Sequence, residues 1–506
     1  MNKIIIVMTM YLLAGCHSLP SLDTRRPSIY IPTYTSPSLE TALQLPAQSD
    51  SPPNAYIHVL DNAHDAYAAR AALAANAAVS LDVRYYIWRN DVSGSLLTRE
   101  LWQAAERGVR VRLLLDDNNT RGLDPILTIL NQHPNIEVRL FNPFLNRQWR
   151  ALGYLADFPR VNRRMHNKSF TADNRATIIG GRNVGDEYFS HHADTAFSDM
   201  DVLLSGSMVT EVSADFDRYW RSQSAYPIDL IVKKVKSKKL AQAQHQLTAP
   251  LTPDQQYYLN DVAQSPFYRA QVSGSLKHIP AQTELISDDP AKALDKQIIK
   301  PNIINQLDEA LKQPQQELYI VSPYFVPTKT GVAWFKQLRE QGVGITVFTN
   351  SLKATDVSAV HSGYLRYRKP LLQSGVQLYE FKAEQAVPKQ TDKGLTGSST
   401  TSLHAKTFVV DKQRVYVGSL NLDPRSVGLN TEMGVVIHNA KLATEMQNQL
   451  QRETQQTAYQ VSLNPNKQIV WHDPENQTAS TREPEAGFWK RTISKILSVL
   501  PIERLL

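Results

Sequence analysis

The chain reads MHNKSFTAD at residues 165–173 and LHAKTFVVD at residues 403–411. In both stretches a histidine is followed two residues later by a lysine, and five residues after that by an aspartate. The likeness continues, because Gly180-Gly181-Arg182-Asn183 and Gly418-Ser419-Leu420-Asn421 lie at the same distance beyond the aspartate. One copy of such a pattern is weak evidence. Two copies with the same extension indicate a folding unit that occurs twice.

The chain before each motif repeats as well. The first copy predicts helices at 66–78 and 96–107 with strands at 80–88 and 109–115, and the second predicts helices at 303–311 and 331–340 with strands at 318–324 and 343–349. The glycines that end the second helices are 234 residues apart, and the motif histidines are 238 apart. Strand, helix and strand in this order form a right-handed parallel unit. The sequence therefore predicts an α/β fold with two pseudo-twofold repeats.

Each motif supplies half of a site. The residues around His-x-Lys are apolar and β-prone, so the motif is predicted to lie on a strand, where residues i and i+2 share a face. The hairpin strands at 177–180 and 415–418 follow and end in small residues, which would let Asn183 and Asn421 approach an anion. Together the halves would present two imidazoles, two ammonium groups and two amides. Such an array suits a phosphodiester.

The two histidines predict covalent catalysis without a metal or a cofactor. One histidine would attack phosphorus, and the other would protonate the departing oxygen. A second alcohol would then take the phosphoryl group from the phosphohistidine. The candidate catalytic residues are those of the two motifs: His166, Lys168, Asp173, His404, Lys406 and Asp411. Of these, the two aspartates sit at strand ends, where we expect a structural role.

Each histidine also needs a partner that fixes its tautomer. Glu432 lies 28 residues beyond His404, and Asp199 lies 33 residues beyond His166. These carboxylates are the predicted orienting residues, and Asp201 is the alternative to Asp199.

The N-terminus is typical of a targeting segment. Lys3 precedes an apolar run at 4–13, which is too short to span a bilayer but fits a secretory signal. The run ends in Leu13-Ala14-Gly15-Cys16, which resembles a bacterial lipobox and contains the only cysteine of the chain. We expect residues 1–15 to be removed, Cys16 to be lipidated, and the protein to be anchored on the periplasmic side of a bacterial membrane. His17 slightly favours the outer membrane.

The remaining boundaries follow from composition and the repeats. Residues 16–54 read as the anchor and a flexible linker, 55–230 as the first repeat, 231–300 as a linker or insert, 301–455 as the second repeat, and 456–506 as a tail. The tail contains a basic amphipathic helix at 485–500, which either contacts a membrane or docks on the protein's own body. The formal net charge of +7 suits an anionic lipid or a nucleic acid.

These motifs resemble those of the phospholipase D superfamily over residues 55–455. The stretches 160–168, 180–188, 364–369 and 423–426 are similar to its bacterial cardiolipin synthase branch, although the lipobox places the chain with a lipoprotein-like subgroup. The resemblance implies two α/β/α sandwich repeats that share one active site. It also implies phosphatidyl transfer to phosphatidylglycerol, with His166 as the nucleophile and His404 as the acid and base.

Other functions stay open from the sequence. A hydrolytic phospholipase D would use the same residues with water as the acceptor. A nuclease or other phosphodiesterase is a weaker alternative, because the two motifs, the lipobox and the tail helix favour membrane phospholipids as partners over nucleic acid. Phosphatidylglycerol is the expected lipid, and phosphatidylethanolamine is a second candidate.

Overall fold

The computed structural model describes residues 19–32, 35–47, 53–147, 149–191, 195–294, 301–383, 400–500 and 503. The predicted lipobox at Cys16 lies outside these residues. The helices and strands before residue 278 are α1 (Pro37–Ala42), β1 (Ala55–Leu60), α2 (Ala63–Asn76), β2 (Ser80–Tyr85), α3 (Val92–Glu106), β3 (Arg110–Asp116), α4 (Asp124–Gln132), β4 (Ile136–Phe141), α5 (Arg150–Ala156), α6 (Phe158–Val161), β5 (Ser169–Ala172), β6 (Ala176–Gly180), α7 (Asp186–Phe189), β7 (Thr195–Ser198), β8 (Asp201–Ser205), α8 (Met208–Trp220), β9 (Ala225–Pro227), α9 (Ile228–Ile231), α10 (Ser237–Thr248), α11 (Pro253–Val262) and α12 (Pro266–Ser273).

The rest of the chain continues with the second copy of the fold. Its elements are β10 (Ile279–Ser287), α13 (Ile303–Leu311), β11 (Glu317–Val321), α14 (Thr328–Glu340), β12 (Gly344–Asn350), α15 (Ser358–Gln373), β13 (Gln377–Phe381), β14 (Thr400–Leu403), β15 (Thr407–Val410), β16 (Arg414–Gly418), α16 (Pro424–Gly428), β17 (Met433–His438), α17 (Ala440–Thr457), β18 (Ala458–Leu463), β19 (Ile469–Asp473), β20 (Thr478–Ser480) and α18 (Phe488–Val499).

The two halves have one strand order. In the first half the neighbours run β1-β8-β6-β5-β2-β3-β4-β9, and in the second they run β10-β17-β16-β15-β11-β12-β13-β18. The central strands β2, β3 and β4 are parallel, as are β11, β12 and β13. The predicted α/β fold with two repeats is confirmed.

A pairing between the first strands joins the halves. β1 and β10 are antiparallel, with Ile57 opposite Ile279. A shared apolar core lies between the halves, where Ile179 and Val202 pack in one cluster with Val409 and Val435. Because β10 is the counterpart of β1, the second copy begins near residue 279. The sequence placed this strand in the insert, since its alternating pattern has no motif to mark it.

Helix starts follow their capping side chains. The Asn62 side chain accepts from the His64 and Asp65 amides at the start of α2, and the Asp91 side chain accepts from the Gly94 amide at the start of α3. Such caps satisfy amides that have no partner within the helix. They start these helices a few residues earlier than the apolar pattern predicted. α13 occupies the predicted range, with Asn302 as its cap.

The segment read as a flexible linker packs on the first half. Leu39 and Leu43, four residues apart around α1, are fully buried. The Arg25 guanidinium donates to the Ala225 carbonyl at 3.0 Å. Burial of these two leucines packs the segment on the first half, so residues 19–32 and 35–47 do not fit the flexible linker predicted for 16–54.

Two further additions cover the outside of the halves. α10, α11 and α12 add Leu247, Tyr258 and Phe267 to the core of the first half. α18 lies against α15, where the Arg366 guanidinium donates to the Ser498 carbonyl, and against the preceding loop, where the Lys490 ammonium donates to the Thr355 carbonyl at 3.2 Å. Among the helices of the described residues, none combines the length and the apolar character needed to cross a bilayer.

Candidate active site

Both histidine–lysine pairs lie in extended segments just before a strand. β5 begins at Ser169 and β15 at Thr407, so the motif residues stand at the strand entrance and not within the strand as predicted. The Lys168 ammonium donates to the His166 carbonyl at 2.6 Å, and the Lys406 ammonium donates likewise to the His404 carbonyl. In each motif the lysine thus binds the backbone carbonyl of its own histidine. This contact places the ammonium charge beside the imidazole of that histidine.

Backbone contacts between the halves hold both segments. The His166 amide donates to the Thr431 carbonyl at 2.8 Å. On the other side, β7 and β14 pair in parallel, and the His404 amide donates to the Ser198 carbonyl at 2.7 Å. Each contact therefore brings the residue that follows it, Glu432 or Asp199, next to a histidine of the opposite half.

The carboxylates pair crosswise with the histidines. His166 Nδ1 lies 2.7 Å from Glu432 Oε2, and His404 Nδ1 lies 2.5 Å from Asp199 Oδ2. Each carboxylate thus serves the histidine of the other half, whereas sequence order had associated each with its own. Asp201, the alternative, instead accepts from the Arg70 guanidinium at 2.9 Å in the core.

The carboxylates decide which ring nitrogen is available for chemistry. Lys406 Nζ also lies 2.8 Å from His404 Nδ1, but Asp199 is closer, so we assign the hydrogen to Nδ1. A hydrogen on Nδ1 leaves Nε2 as the reactive nitrogen in both rings.

Two of the comparisons with known proteins match both halves of the chain. The family model "Cardiolipin synthase, PLD-like domain" matches residues 71–220 and 307–454, one match in each half. Cardiolipin synthase C of Escherichia coli strain K12 is 44% identical over 473 residues, which cover 93% of this chain and 100% of that protein.

The chain belongs to the phospholipase D-like family.

More distant relatives agree with the family. A cardiolipin synthase of Staphylococcus aureus strain Mu50 is 26% identical over 377 residues, 73% of this chain and 61% of that protein. The crystal structure of phosphatidylserine synthase from Haemophilus influenzae Rd KW20 matches with a TM-score of 0.56 at 16% identity, covering 93% of this chain and 100% of that one. This structural likeness shows the shared phospholipase D fold.

The two histidines of this phospholipase D-like site differ in their electrostatics. Burial and the charge of Lys168 hold the pKa of His166 well below its ordinary value. Burial and Lys406 also lower the pKa of His404, but Asp199 opposes that shift. Burial alone would raise the pKa of Asp199, yet His404 and Lys406 outweigh it and lower that pKa. The pair of His404 and Asp199 therefore favours an ionised carboxylate.

Glu432 has a different environment. Burial raises its pKa to about 7, although Lys168 opposes the shift. Burial also lowers the pKa of Lys168 to about 7 and that of Lys406 to about 8. Both ammonium groups are thus held in a dry site where a phosphate anion would restore their charge.

The predicted phosphate-binding asparagines are not equivalent. Asn183 Oδ1 accepts from the Ile87 amide at 3.1 Å, and its Nδ2 donates to the Tyr188 hydroxyl at 2.9 Å, so it fixes a loop. Asn421 is buried, and its Oδ1 has no hydrogen-bond partner among the described residues. The role predicted for both residues stays a prediction, with Asn421 the less engaged of the two.

The motif aspartates lie at the other end of their strands. Asp173 accepts from the amides of residues 78–80, each at 2.8 Å, and Asp411 accepts from the amides of residues 315–317. Both side chains tie the motif strand to the start of a central parallel strand, β2 or β11. These hydrogen bonds go to backbone amides, as the structural role expected from the sequence requires, and the place of both residues in the candidate catalytic set stays a prediction.

The sequence reasoning missed residues that shape the site. A Cβ on Gly181 would lie 2.1 Å from Asp199 Oδ1, so the missing side chain gives that carboxylate its place. The equivalent residue of the second half, Ser419, donates to Glu432 Oε2 at 2.5 Å. The repeated motif has glycine at position 181 and serine at the equivalent position 419. This difference between the copies is the signal in the sequence that could have identified the two positions.

Aromatic rings complete the site. The ring centroids of Tyr86 and His166 are 5.0 Å apart, and those of Tyr188 and His404 are 5.4 Å apart, both edge to face. Tyr324 stands 238 residues after Tyr86, the spacing of the two histidines. This spacing could have identified Tyr86 and Tyr324 as equivalent positions in the two copies.

Proposed function

We propose that the chain transfers a phosphatidyl group from one phospholipid to phosphatidylglycerol, or to a related alcohol, through a phosphohistidine. The family and the 44% identity to a cardiolipin synthase support phospholipid phosphatidyl transfer in general. The observation that carries the detailed proposal is the crossed arrangement, in which each imidazole is held at Nδ1 by a carboxylate of the opposite half.

His166 is the proposed nucleophile. Its Nε2 forms a bond to phosphorus while the bond from phosphorus to the headgroup oxygen of the donor breaks. The low pKa of His166 supports this role, because a neutral ring has the lone pair that attack requires.

His404 is the proposed acid and base. Its Nε2–H protonates the departing oxygen in the first step, and Asp199 stabilises the imidazolium from which that proton comes. In the second step the neutral ring accepts the proton of the acceptor hydroxyl. That oxygen bonds to phosphorus and the bond to His166 breaks, which returns both histidines to their starting states.

The lysines supply the positive charge that the reaction needs. A phosphodiester and its transition state carry negative charge on the non-bridging oxygens, and buried ammonium groups stabilise it strongly. Lys168 and Lys406 lie in the two motifs, so both halves contribute.

The test is a product analysis with the wild type and one active-site variant, H166A. The purified protein is incubated with phosphatidylglycerol vesicles, with and without phosphatidylethanolamine, and the lipids are identified by mass spectrometry. We expect cardiolipin from the wild type and none from H166A. Phosphatidic acid as the only product would replace the transferase proposal with hydrolysis, and no lipid product would overturn both.

A trapping experiment separates the roles of the histidines. With a donor lipid labelled at phosphorus, alkaline-stable label should remain on H404A after rapid quenching and be absent from H166A. Label on H166A and none on H404A would reverse the two assignments.

We also propose that Cys16 is lipidated and that the protein is anchored in the cell envelope, facing the periplasm. The support is the lipobox-like sequence at 13–16. Mass spectrometry of the N-terminal peptide should show an acylated Cys16, and C16S should lack that acylation. An unmodified N-terminus in the wild type would contradict the anchor.

A further inference from the structure

The tail helix α18 lies on the body through its polar side. The Lys490 ammonium donates to the carbonyls of Lys353 and Thr355, each at 3.2 Å. The Arg366 guanidinium, on α15, donates to the Ser498 and Leu500 carbonyls. The docked side of α18 is therefore the side that a soluble protein normally turns to water.

The apolar side of the same helix faces outward. The exposed fractions are 73% for Trp489, 50% for Ile493, 57% for Ile496 and 79% for Val499. The helix is thus docked on the body, which is one of the two alternatives predicted for the tail, and it still presents an apolar face.

A second patch in the first half has the same character. Trp149 is 68% exposed, Leu152 51%, Leu155 84% and Phe158 42%. Polar contacts again hold the segment, because the Tyr154 hydroxyl donates to Asn118 Oδ1 at 2.8 Å, and the Arg150 guanidinium donates to the Asn118 carbonyl at 2.6 Å.

Each patch is attached to a loop beside the active site. Asn118 follows β3, and its Nδ2 lies 3.4 Å from the Tyr86 hydroxyl, whose ring contacts His166. Thr355 follows β12, the counterpart of β3. The next residue, Asp356, accepts from the Tyr324 hydroxyl at 2.8 Å. Burial lowers the pKa of His404, and the charge of Asp356 opposes that shift.

We propose that these two patches, the α5 rim (Trp149, Leu152, Leu155 and Phe158) and the α18 rim (Trp489, Ile493, Ile496 and Val499), insert together into the headgroup boundary of an anionic lipid bilayer. The rims would hold the active site against the surface that contains its lipid substrates. This inference rests on the proposed function for its purpose, but the contact itself can be measured separately.

The chemistry of the rims favours a bilayer over a protein partner. Tryptophan beside aliphatic and basic residues is typical of helices that lie in the membrane interface. Lys490 is docked on the body, but α18 also contains Arg491 and the exposed Lys495 and has no acidic residue, which complements anionic headgroups. Because each rim is attached to a loop beside the active site, a bilayer that binds the rims would also deliver the lipid substrate.

The first test compares two kinds of substrate. The full-length variants L152S/L155S and I493S/I496S each act on vesicles of phosphatidylglycerol and phosphatidylethanolamine, and on short-chain phosphatidylglycerol below its micelle concentration. We expect the ratio of vesicle rate to monomer rate to fall at least about tenfold in each, because two aliphatic side chains lose their burial.

The matched control is I29S. Ile29 is 64% exposed, and its carbonyl accepts from Arg110 at the amino end of β3, the edge away from the site. The ratio for I29S should equal that of the wild type. An unchanged ratio in both rim variants would overturn the proposal.

The second test measures lipid contact without catalysis. Brominated lipids should quench part of the tryptophan fluorescence of the wild type, and W149F/W489F should lose that quenched part. Equal quenching in both proteins would overturn the proposal. A change of oligomeric state in the rim variants would also overturn it and assign the patches to a second copy. Quenching at the rims without turnover of any lipid would leave the rims standing and overturn the proposed function.

Discussion

At the scale of single residues, the site depends on four side chains that pair across the halves. Neither His166 nor His404 has its carboxylate in its own half, so neither half contains a complete catalytic pair. The sequence identified these residues because motif and spacing are local. It did not give the crossed pairing, because that depends on the backbone contacts of Thr431 and Ser198 between the halves.

Asp199 should matter for rate more than for binding. We expect D199N to lower kcat by about a thousandfold or more, since the amide favours the wrong tautomer of His404 and does not stabilise its imidazolium. Steady-state kinetics on phosphatidylglycerol vesicles would measure this, with the urea midpoint as the control for folding. A kcat within about tenfold of the wild type would contradict the role.

The low pKa values of the two lysines predict that activity declines on the alkaline side of the pH profile at an unusually low pH. In the free enzyme the pKa of Lys168 is about 7 and that of Lys406 is about 8, so positive charge is lost as pH rises through this range. We expect kcat/KM to fall as the pH rises from about 7 to about 8. The kcat at saturating lipid should fall only at higher pH, because the bound phosphodiester keeps both lysines protonated.

A variant with a guanidinium at position 406 is the control for this alkaline decline. K406R keeps its charge above pH 8, so the part of the decline that belongs to Lys406 should move to higher pH even if the overall rate is lower. An unchanged decline in this variant would exclude Lys406 as its source.

At the scale of elements, regular helices and strands were largely predictable, and the segments between them were not. The apolar pattern located β2, β3, β11 and β12 because strands that are buried on both sides form continuous apolar runs. It misplaced His166 and His404 on strands, because the pairing of β5 and β15 starts only after the lysines. It also missed the packing of residues 19–32 and 35–47, which depends on a surface of the first half.

The turn after β6 should be sensitive to one methyl group. We expect G181A to lower kcat by about ten- to a hundredfold, because its Cβ would collide with Asp199 Oδ1 and displace the partner of His404. G428A is the control, since a Cβ there meets nothing within 4 Å. If G181A and G428A had the same kcat, the reaction would tolerate a displaced Asp199.

We expect the motif aspartates at the strand ends to contribute to stability and not to catalysis. D173A leaves the amides of residues 78–80 without their acceptor, and we expect a loss of about 2–4 kcal/mol in the free energy of unfolding. Urea denaturation would measure the loss, and D173N, which keeps one oxygen, should lose less. A stable but inactive D173A would return this residue to the catalytic set.

At the scale of the whole molecule, the halves form one structural unit. β1 pairs with β10, and the core between the halves takes side chains from both, including Val202 and Val435. We therefore expect a single cooperative unfolding transition in calorimetry. Two separate transitions, or a V435A variant that shifts only one of them, would show that the halves fold independently.

The crossed carboxylates also bear on how such a chain arises. A single-motif ancestor would have needed a symmetric homodimer to complete its site, and both histidines would then have been chemically identical. Fusion into one polypeptide removes that identity. Here one histidine has Asp199 beside Gly181, and the other has Glu432 beside Ser419. Gene duplication thus allows two copies of one residue to specialise, one toward attack and the other toward proton transfer.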